Sequence, residues 1–129
     1  MSEQIAKFED LQCWQHARLL VAEIFTLTSE TRLAEEYTVK NQLCRAALSV
    51  MSNIAEGFAR SYRGDFIRLL DYAQSSTQEV KSLLYGVIDL DLAPKRKVKD
   101  IQTKCDEVRR LTMGLLKHVR SSNDPIPVR

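Results

Sequence analysis

The residues that could do chemistry fall in two groups. The first follows one flank of a central segment: Arg45, Ser49, Ser52, Asn53, Glu56 and Arg60. On a helix these positions stack one above another, setting a carboxylate beside an amide and guanidinium groups. A buried acid held that way could move a proton. The segment offers no nucleophile and no metal cluster to work with it, so a structural polar network or an oligomer contact through Arg45, Ser49, Asn53 and Glu56 is the better reading. The second group is cationic: Lys95, Arg96, Lys97 and Lys99, with Lys104 beyond them. Positive charge at a helix start opposes the macrodipole, so helix stability does not explain it. It suits either a solvated face that keeps the protein in solution or contact with a phosphate backbone, and Arg60, Arg63 and their neighbours Tyr62 and Arg68 offer a second patch on another loop. Aromatic residues are sparse among these cations, so binding would be backbone-led and weakly sequence-selective.

Other chemistry finds little support. Cys13, His16, Cys44, Cys105 and His118 lack metal-ligand spacing, and no metal or cofactor is expected. The chain has no phosphate-cradling glycine loop, nucleophile elbow or zinc-protease pattern. No enzyme and no small-molecule substrate are predicted. Three cysteines, odd in number and far apart, argue against a disulfide framework and for a reducing compartment. The first residues lack a signal-peptide pattern and no apolar run reaches membrane-spanning length, so the expectation is a cytoplasmic protein with no membrane partner.

The elements that must position these groups are helices. Four glycines and three prolines in 129 residues leave few turns, and 44% apolar with 28% charged residues is ordinary for a globular protein. Net charge is only +2, but residues 94–120 hold nine Lys/Arg against three Asp/Glu, a balance of +6. In the central segment Leu43, Ala46, Ala47, Val50, Ile54 and Phe58 recur at three- and four-residue steps, one buried helical face. Small residues beside that face let a neighbouring helix approach.

In chain order, the spacing predicts helices near 9–29, 38–59, 65–88 and 94–120. Asp10, Thr38 and Asp65 are the expected N-caps, and Pro94 is expected in the first turn of the last helix. The inner face of the first helix reads as Leu11, Trp14, Ala17, Val21, Ile24, Phe25 and Thr28. That of the third runs from Phe66 through Leu69, Leu70, Ala73, Thr77, Val80 and Leu84 to Val87. Its polar run, Gln74 to Glu79, is expected against the small flank of the central helix. The last helix offers Val98, Ile101, Cys105, Val108, Leu111, Thr112, Leu115 and Val119. Together they describe an all-α, antiparallel up-and-down four-helix bundle, a single domain over 1–120 with a flexible tail over 121–129.

Several of these residues also carry a family resemblance: Phe8-Glu-Asp-Leu11 with Trp14, Gln42, Arg45-Ala-Ala47, and Ser49-Val-Met-Ser-Asn-Ile-Ala-Glu-Gly57. Arg60, Phe66, Leu70, Ala73, Ser76 and Glu79 extend it. The chain resembles the bacterial four-helix-bundle proteins encoded in intervening sequences of 23S ribosomal RNA genes, which are related to the accessory variability determinant of diversity-generating retroelements. It departs at Met51, where proline is usual, and at Gln74-Ser75, where an alanine-glycine-serine run is usual. The resemblance implies a homopentamer, with basic surfaces that bind nucleic acid in the retroelement relatives, and no enzyme. The expected function is therefore a non-catalytic oligomeric accessory or scaffold protein that binds RNA or DNA backbones. The alternative is a protein–protein adaptor that binds no nucleic acid.

Overall fold

The computed structural model describes residues 5–121. It contains helices α1 (Gln12–Glu30), α2 (Tyr37–Ala59), α3 (Arg63–Asp89) and α4 (Lys95–Ser121). Short 3₁₀ turns at Phe8–Asp10 and Arg32–Glu35 precede α1 and α2. No strand occurs among the described residues. The architecture is the all-α antiparallel four-helix bundle that the apolar spacing predicts. Each helix packs on two others: α1 and α3 each lie against both α2 and α4.

One apolar cluster runs the length of the bundle, and burying each of its larger aliphatic or aromatic side chains stabilises the fold by about 1.5–3 kcal/mol. The stripes of α2 and α3 are buried at every predicted position. On α1 the predicted Leu11, Ala17, Ile24 and Thr28 are buried, but the stripe is broader and shifted at its other positions. Cys13, Leu20 and Leu27 are buried, while Phe25 is 42% exposed and Trp14 and Val21 are half-buried. The cause is a helix with apolar residues on two sides, which leaves the phase of the stripe ambiguous. On α4, Leu116 is buried and Leu111 and Leu115 are only partly covered.

The expected caps need correcting. Leu11, Glu36 and Tyr62 occupy the N-cap positions of the first three helices, and none makes a side-chain capping bond. Asp10 belongs to the 3₁₀ turn, Thr38 lies inside α2, and Asp65 lies in the first turn of α3, where it pairs with Arg68 at 3.2 Å. Pro94 immediately precedes α4, and its carbonyl accepts from the Val98 N–H. Helix α4 continues through Ser121; the rest of the tail expected over 121–129 lies outside the described residues.

The connection between α3 and α4 is tied to the turn between α1 and α2. The Leu33 N–H donates to the Leu92 carbonyl at 3.1 Å, and Arg32 donates to the Asp91 carbonyl at 3.0 Å. Asp91 has φ of 54°, a left-handed conformation that aspartate tolerates better than most residues. This clamp fixes the end of the bundle from which α4 begins.

At the opposite end Gly57 of α2 lies close against Phe66 and Leu69 of α3. A Cβ built there would lie 2.9 Å from Phe66 Cδ1 and 3.2 Å from Leu69 Cβ. Glycine is required by that approach, since both neighbours are buried.

Candidate nucleic-acid interface

Lys95, Arg96, Lys97 and Lys99 occupy the first two turns of α4, and all four are exposed. Four positions within five residues fan around the helix, so Lys97 turns toward α1 while Arg96 points outward. Lys97 lines a groove between α1 and α4 with Glu30 and Thr31. None of the four makes an ion pair with another described residue. Lys104, one turn on, is taken up by a salt bridge to Glu23.

Arg60 and Arg63 do not join this group. They lie at the junction of α2 and α3, the far end of the bundle. With 27 residues in α3, that separation is about 40 Å. The two predicted basic patches are therefore two places. Acidic residues share the α4 end: Glu30, Glu35 and Glu36 at the turn from α1 to α2, Asp89 and Asp91 at the turn from α3 to α4, and Asp100 in the second turn of α4. Arg32 and Asp91 pair there at 3.8 Å. The excess cationic charge of α4 is thus local to its exposed arc.

The polar flank of α2 divides in two. Asn53 Nδ2 donates to the Ser49 carbonyl and to Ser49 Oγ, both at 2.9 Å. Ser49 Oγ in turn meets Ser76 Oγ of α3 at 2.8 Å. Ser49 and Asn53 therefore form a network inside the chain, as a structural reading expects. Arg45 and Glu56 are exposed and join no hydrogen bond or ion pair with another described residue. No acid–base pair is assembled, because the carboxylate and the guanidinium do not converge on the amide.

The polar run of α3 divides as well. Ser76 reaches α2, and Glu79 accepts from Gln42 at 3.4 Å. Gln74 turns the other way: its Nε2 donates to the Arg109 carbonyl of α4 at 3.2 Å. Gln74 and Arg109 were not among the predicted site residues. The available signal was a long polar side chain at an inward position, one residue after buried Ala73.

The thiols are packed into the core. Cys13 and Cys105 are buried, and burial pushes them up to about 11 and about 12. Cys44 is half-buried beside Thr28. Among the described residues no group of three or more His, Cys, Asp or Glu converges on a metal-sized site. No helix there is long and apolar enough to cross a membrane.

Comparison with known proteins places this geometry. Residues 9–114 match the family described as 23S rRNA-intervening sequence protein. The chain belongs to that family. The match covers α1 to α3 and most of α4, including the basic start of α4 and the Ser49–Asn53 network. A similar solved structure is that of a protein of unknown function from the S23 ribosomal protein family of Bacteroides thetaiotaomicron VPI-5482. It superimposes with a TM-score of 0.74 at 21% identity, covering 81% of this chain and 95% of the other. At that identity the likeness speaks for the fold alone. No curated protein matches the chain. Neither match indicates a catalytic family.

Proposed function

We propose that this 23S rRNA-intervening sequence protein is a non-catalytic, homo-oligomeric accessory or scaffold protein that binds RNA or DNA through the phosphate backbone. The observation that carries the reading is the set of four exposed cations at the start of α4, which have no acidic partner among the described residues. They sit where the helix dipole disfavours them, so their placement costs stability and calls for an anion. In a homo-oligomer, with a pentamer as the expected number, each subunit would repeat the group and strengthen the local field. Exposed Arg45 and Glu56 on α2 are available for the contact between subunits. Arg60 and Arg63 would serve a separate contact at the other end. The protein would act in the cytoplasm.

Purified protein titrated against structured RNA and duplex DNA, at low and at physiological salt, tests this. Binding should appear at low salt and weaken steeply as salt rises. Replacing Lys95, Arg96, Lys97 and Lys99 by glutamine should lower affinity by a similar factor for every sequence, while the helix folds at least as well. Absence of binding at both salts would remove this reading.

A protein–protein adaptor is the second reading, favoured by the exposed apolar side chains of α1 and α2. Phe25 and Leu48 are each 42% exposed and Leu19 is 58% exposed. Partners of an adaptor would survive the glutamine substitutions.

A further inference from the structure

The seam between α3 and α4 carries polar groups that the bundle itself leaves open. A groove of about 250 Å³ is lined by Gln74, Asp106, Arg109, Arg110 and Met113. Gln74 is 7% exposed. Its amide nitrogen is spent on the Arg109 carbonyl, but its Oε1 is buried and meets no donor among the described residues. Arg109 Nε is likewise buried and meets no acceptor there. A buried donor and a buried acceptor left unpaired each cost stability, and one ligand carrying the complementary pair would satisfy both.

The charged groups of the rim narrow the choice. Asp106 is neutralised by Lys81 at 2.7 Å, and Arg110 is held by Glu107 through bonds of 3.0 and 2.5 Å. Arg109 makes no ion pair with a described residue, so its positive charge is the one left over. The ligand is therefore an anion that also carries a hydroxyl or similar donor. On α4, positions 95, 99, 106, 110, 113 and 117 recur at three-, four- and seven-residue steps and share one side. That side faces α3, where Asp106 meets Lys81 and Arg120 meets Asp71. Lys95, Lys99 and Lys117 thus form a cationic line past the groove, with Arg110 between them already paired to Glu107. Arg109 lies ten residues, about 15 Å, from Lys99.

We propose that this groove seats the sugar–phosphate backbone of RNA. Arg109 Nε donates to a phosphate oxygen and Gln74 Oε1 accepts from the neighbouring ribose 2′-hydroxyl. That hydroxyl is the group by which a protein distinguishes RNA from DNA. Both protein atoms are buried, so a ligand must displace a lining side chain to reach them, and Met113, unbranched and half-buried at the groove, is the one best able to move. The inference rests on the proposed backbone binding and adds to it a preference for RNA.

Fluorescence anisotropy with a single-stranded RNA, the DNA of the same sequence and a 2′-O-methyl RNA tests it on the full chain. RNA should bind about fivefold tighter than the other two, the worth of one neutral hydrogen bond. Gln74→Leu should abolish that preference, bringing the RNA-to-DNA affinity ratio to about one. Arg109→Gln should weaken RNA and DNA together and lower the salt slope by about one. The 2′-O-methyl arm needs no variant, so a misfolded substitution does not blunt the test. Equal binding of all three nucleic acids would overturn the inference while leaving backbone binding standing; a bridging water then satisfies the two atoms. A preference for RNA that survives Gln74→Leu would also overturn it. No binding of any probe at low salt would remove the proposed function and this inference with it.

Discussion

The two seams of α3 differ in how they treat polar groups. Toward α2, Ser49, Asn53 and Ser76 form a closed chain in which each hydroxyl meets a partner within 2.9 Å. Toward α4, Gln74 spends its donor on a carbonyl and leaves its acceptor, with Arg109 Nε, unpaired among the described residues. A satisfied network fixes how two helices pack; an unsatisfied one, at a groove, is free to read a ligand. The α2–α3 seam is also the tighter, because Gly57 lets Phe66 and Leu69 approach the α2 backbone.

Breaking the tight seam should have the largest effect. Gly57→Leu drives a side chain into the buried Phe66 ring and should destabilise the bundle by about 3 kcal/mol or more, beyond ordinary overpacking. Gly114 of α4 has nothing within 4 Å of a Cβ. Gly114→Ala should therefore stabilise by about 0.5–1 kcal/mol through helix propensity. Urea denaturation of the two variants checks both signs. Equal destabilisation would show that the two positions are equally crowded.

Alkali should act next, through the thiols buried on α1 and α4. Burial raises Cys13 to about 11 and Cys105 to about 12, above the ordinary value of 9.0. The folded state then holds its thiol protons after the unfolded chain has lost them. The stabilising difference is intact below pH 9 and disappears as pH rises through 11 and 12. Cys13 alone should account for about 2–3 kcal/mol over that window. A Cys13→Ala, Cys105→Ala double variant should show a flatter alkaline limb in a denaturation series. An unchanged limb would mean the thiols titrate alike in both states. The serine–asparagine network between α2 and α3 has no titrating group and should be indifferent to the same pH change.

The two seams were not equally legible in the sequence. The apolar stripes of α2 and α3 could be read residue by residue, because each has one apolar side and the 3.6-residue period then has a single phase. Helix α1 carries Leu19, Val21 and Phe25 off its core stripe, so its spacing marks Leu11, Ala17, Ile24 and Thr28 correctly but misses Cys13, Leu20 and Leu27. The basic start of α4 was legible as a run of charge. Its distance from Arg60 and Arg63 follows from placing the helices end to end. The split of the Gln74–Glu79 run was not legible, because α3 touches two neighbours and no local pattern says which neighbour a given polar residue meets.

Ser49→Ala should cost about 1 kcal/mol, since it leaves the Ser76 hydroxyl without its partner at a half-buried seam and Asn53 Nδ2 with only the Ser49 carbonyl. Adding Ser76→Ala should cost less than a second such increment, because the two hydroxyls are partners of each other. A double-mutant cycle in urea measures the coupling. Strict additivity would mean that the 2.8 Å contact contributes nothing.

Gln74→Leu should have the smallest effect on stability, and that smallness is what separates the seams. Leucine is close to glutamine in size and removes the acceptor that has no donor, which favours the fold. It also removes the bond from Nε2 to the Arg109 carbonyl, which opposes it. The two changes nearly offset, and the net shift should stay within about 0.5 kcal/mol. A loss above about 2 kcal/mol would show instead that Gln74 is a packing element like Ser49, and that the α3–α4 seam is closed. A substitution that leaves stability alone yet erases the preference for RNA would mark Gln74 as a residue kept for a ligand. Ser49 should show the opposite pattern, a cost in stability with the RNA-to-DNA ratio unmoved.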